Sequence, residues 1–91
     1  MKAFAAVMHR FNEPLILEEV EIPRLASGQV LVEMEASGVC GSDVHMWHGK
    51  DPRTPLPIIL GHEGVGRVAD LRGVRRDNHG LPLALGDRLL W

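Results

Sequence analysis

Hydrophobic and polar positions alternate along most of this chain with a period of two, and no stretch sustains a long helical repeat. Lys2 to Met8 reads as a strand with Phe4, Ala6 and Met8 on one face. Asn12-Glu13-Pro14 is a turn signal. Leu15 to Ile22 reads as a second strand, in which Val20 and Ile22 oppose Glu19 and Glu21. Pro23 ends it, and Ala26-Ser27-Gly28 makes the next turn. Beyond it Val30, Val32, Met34 and Ala36 fall on one face, with Glu33 and Glu35 on the other, the period of a half-buried strand.

The pattern then changes. Gly38 and Gly41 bracket Val39-Cys40 and let the backbone bend sharply beside the cysteine. Ser42 is a suitable N-cap for a short helix through Trp47 or His48, stopped by Gly49. Asp51 to Pro57 carries three prolines and is expected to be an irregular loop. Val65 to Leu71 is expected to be a strand. Asp77-Asn78-His79-Gly80 reads as a turn with Gly80 at positive φ, flanked by short strands over Leu81–Leu85 and Asp87–Trp91. Many short strands and one short helix predict a mainly-β domain, closed or nearly closed, without internal repeats.

Composition narrows the function classes. Ninety-one residues allow one domain at most. A chain this size buries only about 60–65% of the surface its unfolded form exposes, so modest stability is expected. Ten basic and twelve acidic residues leave a net charge of −2, which gives no electrostatic argument for nucleic acid or anionic membrane, and neither is expected as a partner. The longest apolar stretch, Leu56 to Leu60, is interrupted by Pro57 and is too short to span a bilayer. The N-terminus lacks a signal-peptide pattern. A single cysteine cannot form an internal disulfide, which suits a reducing cytoplasm. Trp91 ends the chain inside an expected strand, so a fragment of a longer protein is expected.

Cys40 and His62 are the first pair that can carry chemistry. A thiolate sulfur and an imidazole nitrogen are ligands suited to zinc. They are too far apart in sequence for a zinc-finger knuckle, and each sits in its own glycine-flanked loop. Taken alone, a lone cysteine is more often a small buried hydrophobe. Glu63 can be a carboxylate ligand, a nearby base, or a surface charge. Asp43 can orient a ligating histidine or simply favour the first turn of the helix. Ser42 and His45, three apart on the helix, share a face and can pass a proton; otherwise they are a cap and a surface residue. Met46, Trp47 and His48 can line an apolar pocket or belong to core or surface. Gly64-Val65-Gly66-Arg67-Val68-Ala69 matches a dinucleotide-binding fingerprint, but the following residues leave no room for a helix and a return strand. Those glycines fit close packing or a bulge within a strand better.

Gly38-Val39-Cys40-Gly41-Ser42-Asp43-Val44-His45, followed by Leu60-Gly61-His62-Glu63-Gly64-Val65-Gly66, resembles the zinc-containing medium-chain alcohol dehydrogenases. The Gly28-Gln29-Val30-Leu31-Val32 entry and the Gly86-Asp87-Arg88 step follow the same family pattern in order. The resemblance runs the length of the chain but covers only about the first quarter of a typical member. It implies a GroES-like, partly open β-barrel with one short helix after Cys40. Residues 1–91 would then be the N-terminal part of a catalytic domain, with the Rossmann domain that binds NAD or NADP absent from this chain. By the same resemblance Cys40 and His62 are zinc ligands, with Glu63 a ligand or close neighbour of the metal. Ser42 contacts the alcohol oxygen, His45 relays the proton, Asp43 supports the ligating histidine and Trp47 lines the substrate pocket.

The implied activity is hydride transfer between an alcohol, polyol or carbonyl compound and NAD or NADP, in a cytoplasmic, homo-oligomeric parent enzyme, with the isolated chain inactive. The pattern is not complete. A third protein ligand would lie beyond Trp91, as would a structural-zinc lobe with four cysteines. Gly41 provides no cation for a cofactor pyrophosphate. Arg72 stands where the family often has a glycine, with Gly73 one place late, and Arg75 to Leu85 is longer than the usual turn. A free-standing GroES-like module with a non-catalytic binding or structural role is the alternative expectation.

Overall fold

A computed structural model describes residues 1–91. In chain order the elements are β1 (Lys2–Val7), β2 (Ile16–Glu21), β3 (Gln29–Gly38), α1 (Gly41–Trp47), β4 (Glu63–Arg72) and β5 (Arg88–Leu90). The chain is thus mainly β with one short helix after Cys40, as its alternating pattern requires. The strands make one two-stranded and one three-stranded sheet, not closed into a full barrel. Two compact units are present. The first combines Met1–Pro23 with Gly38–His62; the second combines Arg24–Ser37 with Glu63–Trp91.

In the first unit β1 and β2 pair antiparallel from Lys2↔Glu21 to Val7↔Ile16. Directly opposed residues share a sheet face, so Ala3, Ala5 and Val7 lie opposite Val20, Glu18 and Ile16. This is the better-buried face of β1, whereas Phe4 and Ala6, read on one face with Met8, are exposed. Both faces of β1 are apolar, so alternation alone did not choose between them, and Phe4 is 72% exposed. Met8 is fully buried for another reason: just beyond β1 it exchanges backbone hydrogen bonds of 2.8 and 3.0 Å with Ile58. On β2, Val20 is half-buried between exposed Glu19 and Glu21, as expected.

Helix α1 starts two residues earlier than a Ser42 cap predicts, because Cys40 is its N-cap, with φ −112° and ψ 175°. The cap works through Asp43, whose Oδ2 accepts the Cys40 N–H at 3.1 Å. That reciprocal bond satisfies a donor that the helix cannot satisfy internally. Gly49, at φ +72°, ends the helix as expected.

The second unit holds the sheet of order β3-β4-β5. Strands β4 and β5 pair antiparallel through Val65↔Leu90, Gly66↔Leu89 and Arg67↔Arg88. Strand β4 is longer than the expected Val65–Leu71 and contains the whole Gly64–Ala69 fingerprint in extended form. Its glycines serve packing: a Cβ on Gly66 would sit 2.4 Å from the Glu33 carbonyl oxygen and 2.5 Å from Val32 Cγ1. Val68, on the same face, is 3% exposed. On β3, Val30 and Val32 are half-buried, whereas Met34 is 50% exposed, so the predicted inner face holds only over its first half.

Arg88 clamps Glu35 with two bonds of 2.9 and 3.2 Å. That hydrogen-bonded guanidinium holds the Glu35 carboxyl below its ordinary value.

The turn at Gly80 forms as read, with φ +77° and the Asp77 carboxylate accepting the His79 and Leu81 N–H groups at 2.8 and 3.0 Å. Leu81–Leu85 is not a strand; only an isolated Arg76↔Pro82 bridge is found. Pro82 has no N–H to give a ladder, and the chain turns again at Gly86, φ +87°. The expected Asp87–Trp91 strand reduces to β5, although Trp91 still exchanges backbone bonds of 3.0 and 3.1 Å with Gly64. No helix is long and apolar enough to cross a membrane.

Candidate metal centre

The first unit brings Cys40, Ser42, Asp43 and His62 together. Cys40 lies where the backbone enters α1, and His62 follows Gly61, whose φ of +115° is open to glycine and closed to most other residues. Cys40 Sγ lies 3.3 Å from His62 Nε2 and 2.8 Å from Ser42 Oγ. Two ligands of one tetrahedral zinc, at bond lengths of about 2.3 Å to sulfur and about 2.0 Å to nitrogen, would be about 3.5 Å apart. The observed separation matches that geometry with almost no adjustment.

Asp43 is placed where it could support a ligating imidazole. It is 5% exposed, the one buried charged residue of the chain. With Oδ2 bound to the Cys40 N–H, its Oδ1 is buried, accepts no hydrogen bond, and stands 3.5 Å from His62 Nδ1. The two ring nitrogens therefore face different partners, Nε2 the thiol and Nδ1 the carboxylate. Such a carboxylate–histidine pair leaves the other nitrogen directed at a metal. A buried carboxylate oxygen without a partner is costly, so Asp43 Oδ1 suits a ring N–H donor such as His62 Nδ1.

The remaining predicted residues are placed as follows. Glu63 is the exposed first residue of β4 and belongs to the second unit; its backbone carbonyl accepts the Ser37 hydroxyl at 3.2 Å. His45, on the last turn of α1, is exposed. It adds the smallest of several effects that hold the Asp51 carboxyl below its ordinary value, the largest being the Arg53 hydrogen bond. Trp47 is half-buried, and its indole N–H donates to the Glu13 carbonyl at 2.7 Å. His48 meets the Trp47 ring edge-on with centroids 4.9 Å apart.

Asn12 had been read only as part of a turn. It is the single non-glycine residue at positive φ, +58°, and its side chain meets His48 Nδ1 at 2.8 Å. The signal was present in its residue type, since asparagine tolerates the left-handed region.

Comparison with known proteins follows the same lines. A family model described as alcohol dehydrogenase GroES-like domain matches residues 26–90. An alcohol dehydrogenase of Geobacillus stearothermophilus is 46% identical over 87 residues, covering 93% of this chain and 24% of that protein. The 5-exo-hydroxycamphor dehydrogenase of Pseudomonas putida is 46% identical over 92 residues, covering 98% of this chain and 25% of that protein. Among solved structures, an alcohol dehydrogenase of Thermotoga maritima aligns with a TM-score of 0.90 at 54% identity, over 100% of this chain and 25% of its own. The chain spans about a quarter of the length of these relatives.

Proposed function

Because this chain belongs to the alcohol dehydrogenase GroES-like domain family, we propose that it is the N-terminal catalytic-domain portion of a zinc-dependent oxidoreductase acting on an alcohol or polyol with NAD or NADP. The observation that carries this reading is the 3.3 Å approach of Cys40 Sγ to His62 Nε2, backed by the buried Asp43 carboxylate. Cys40 and His62 would hold the metal, with Glu63, the next residue in the chain, available as a further oxygen donor.

When bound, zinc supplies Lewis-acid polarisation of the substrate oxygen, and the nicotinamide supplies the hydride acceptor. The chain's own residues prepare and drain the site. Asp43 fixes the His62 ring so that Nε2 presents its lone pair. It also holds the Cys40 backbone, and so both ligands depend on one buried side chain. Ser42 Oγ, 2.8 Å from the thiol, is placed to hydrogen-bond an alcohol hydroxyl delivered beside the sulfur. His45 lies one turn along the same helix face and is exposed, so a proton taken up there can leave to solvent. Trp47 offers an apolar ring at the far end of the helix as a wall for the substrate chain. The cofactor domain lies outside these 91 residues, and the isolated chain is therefore inactive in this reading.

The test is elemental analysis of the longest natural form beside its Cys40→Ala variant. Stoichiometric zinc in the parent and its loss in the variant are expected. Equal zinc in both, or none in the parent, would remove the metal from the proposal.

A further inference from the structure

A seven-residue helix is too short to hold its own geometry in water, so the orientation of α1 must be imposed at its ends. The N-terminal end is held by the Asp43–Cys40 bond described above. The C-terminal end is held by a turn distant in sequence. The Asn12 N–H donates to the Trp47 carbonyl at 2.9 Å, and the Asn12 side-chain oxygen pairs with His48 Nδ1 at 2.8 Å. The Trp47 indole N–H donates to the Glu13 carbonyl at 2.7 Å. Gly49 packs so closely on Phe11 that a Cβ there would lie 2.9 Å from the ring. All of this belongs to the first unit.

Each of these hydrogen bonds is exposed and individually weak. They converge, however, on the last turn of α1 and on the residue just past it. They also require Asn12 at φ +58°, a conformation disfavoured for any side chain and least so for asparagine, aspartate and histidine. A disfavoured backbone angle at the residue that makes two of these bonds, next to the one that makes the third, indicates that the turn is held in shape to meet the helix.

We propose that Asn12 is a positioning residue: the Phe11–Glu13 turn clamps the C-terminal end of α1 and thereby fixes where Ser42 and His45 stand relative to the metal pair. This rests on the proposed dehydrogenase reading. Asn12 touches no reacting atom. Its influence passes through His48 and Trp47 to the helix that carries the proton path. Small displacements of such groups are costly to rate even when the fold persists.

The experiment compares Asn12→Gly and Asn12→Asp in the longest natural form, with benzyl alcohol, cyclohexanol and 1-butanol as probes and both NAD and NADP. Glycine keeps the left-handed turn and the N–H but removes the oxygen that holds His48. Aspartate keeps both the turn and an oxygen acceptor. We expect Asn12→Gly to lose roughly fivefold to tenfold in kcat with zinc content and thermal midpoint close to those of the parent. Asn12→Asp should stay within about twofold of the parent.

Equal kcat in the glycine and aspartate variants, or a loss that follows the thermal midpoint in step, would overturn the assignment and leave Asn12 a merely structural turn residue. A parent that binds no zinc or oxidises none of the alcohols would instead overturn the dehydrogenase reading, and the role of Asn12 with it. The two failures differ in the parent protein itself, before any variant is compared.

Discussion

Asp43 concentrates the residue-scale argument. It is buried, it caps the cysteine, and one of its oxygens waits beside the histidine. Replacing it by asparagine keeps the size and one acceptor but removes the charge that, in the proposed reading, would strengthen the imidazole as a ligand. Asp43→Asn is expected to weaken zinc binding by roughly tenfold to a hundredfold, measured by competition with a chromophoric chelator. Unchanged affinity would reduce Asp43 to a helix cap. Donor chemistry and glycine flanks marked Cys40 and His62 but left a buried hydrophobic cysteine as the commoner case; the family resemblance paired them, and their side chains do meet at 3.3 Å. The cap was misread because serine and cysteine stand two apart, and residue preference points to serine. The bond from Asp43 decides it, and that bond depends on a backbone path no preference table contains. Asn12 was legible as a turn, but its partner His48 lies 36 residues away.

Among the elements, the strands were visible from alternation, and their errors have two physical causes. Where both faces of a strand are apolar, as in β1, period two gives the strand but not its inner side. Where proline or glycine interrupts, as at Pro82 and Gly86, hydrophobic content overstated the ladder. Strand β4 shows the opposite case: its glycines match a phosphate-loop fingerprint, read as packing residues because no helix could follow, and do pack closely. The backbone of Glu33 occupies the space that a side chain at position 66 would need. Backbone cannot yield as the end of a side chain can, so Gly66→Ala should destabilise by about 1–3 kcal/mol. Gly41→Ala is the control, because a Cβ at Gly41 meets nothing within 4 Å. Urea unfolding of both variants in the longest natural form checks this; equal midpoints would mean that β3 moves aside freely.

For the whole molecule, the question is how 91 residues with so little interior would support the proposed metal centre. Val7, Met8 and Val68 are the buried hydrophobic residues, whereas Phe4, Leu17 and Leu90 are 72%, 70% and 83% exposed. Apolar area left in contact with water contributes nothing to stability, and each buried large side chain is worth only about 1.5–3 kcal/mol. Three such residues cannot offset the conformational entropy of ordering this chain. The relatives are about four times as long, and in the proposed reading their further residues supply the missing cover as well as the cofactor site. The isolated 91-residue chain should therefore unfold at low urea with a broad transition and bind an apolar dye strongly. The longest natural form should unfold cooperatively and bind little dye. A sharp transition with no dye binding for the isolated chain would mean that its exposed apolar residues need no cover. The metal centre would then have to be judged as the property of a free-standing module.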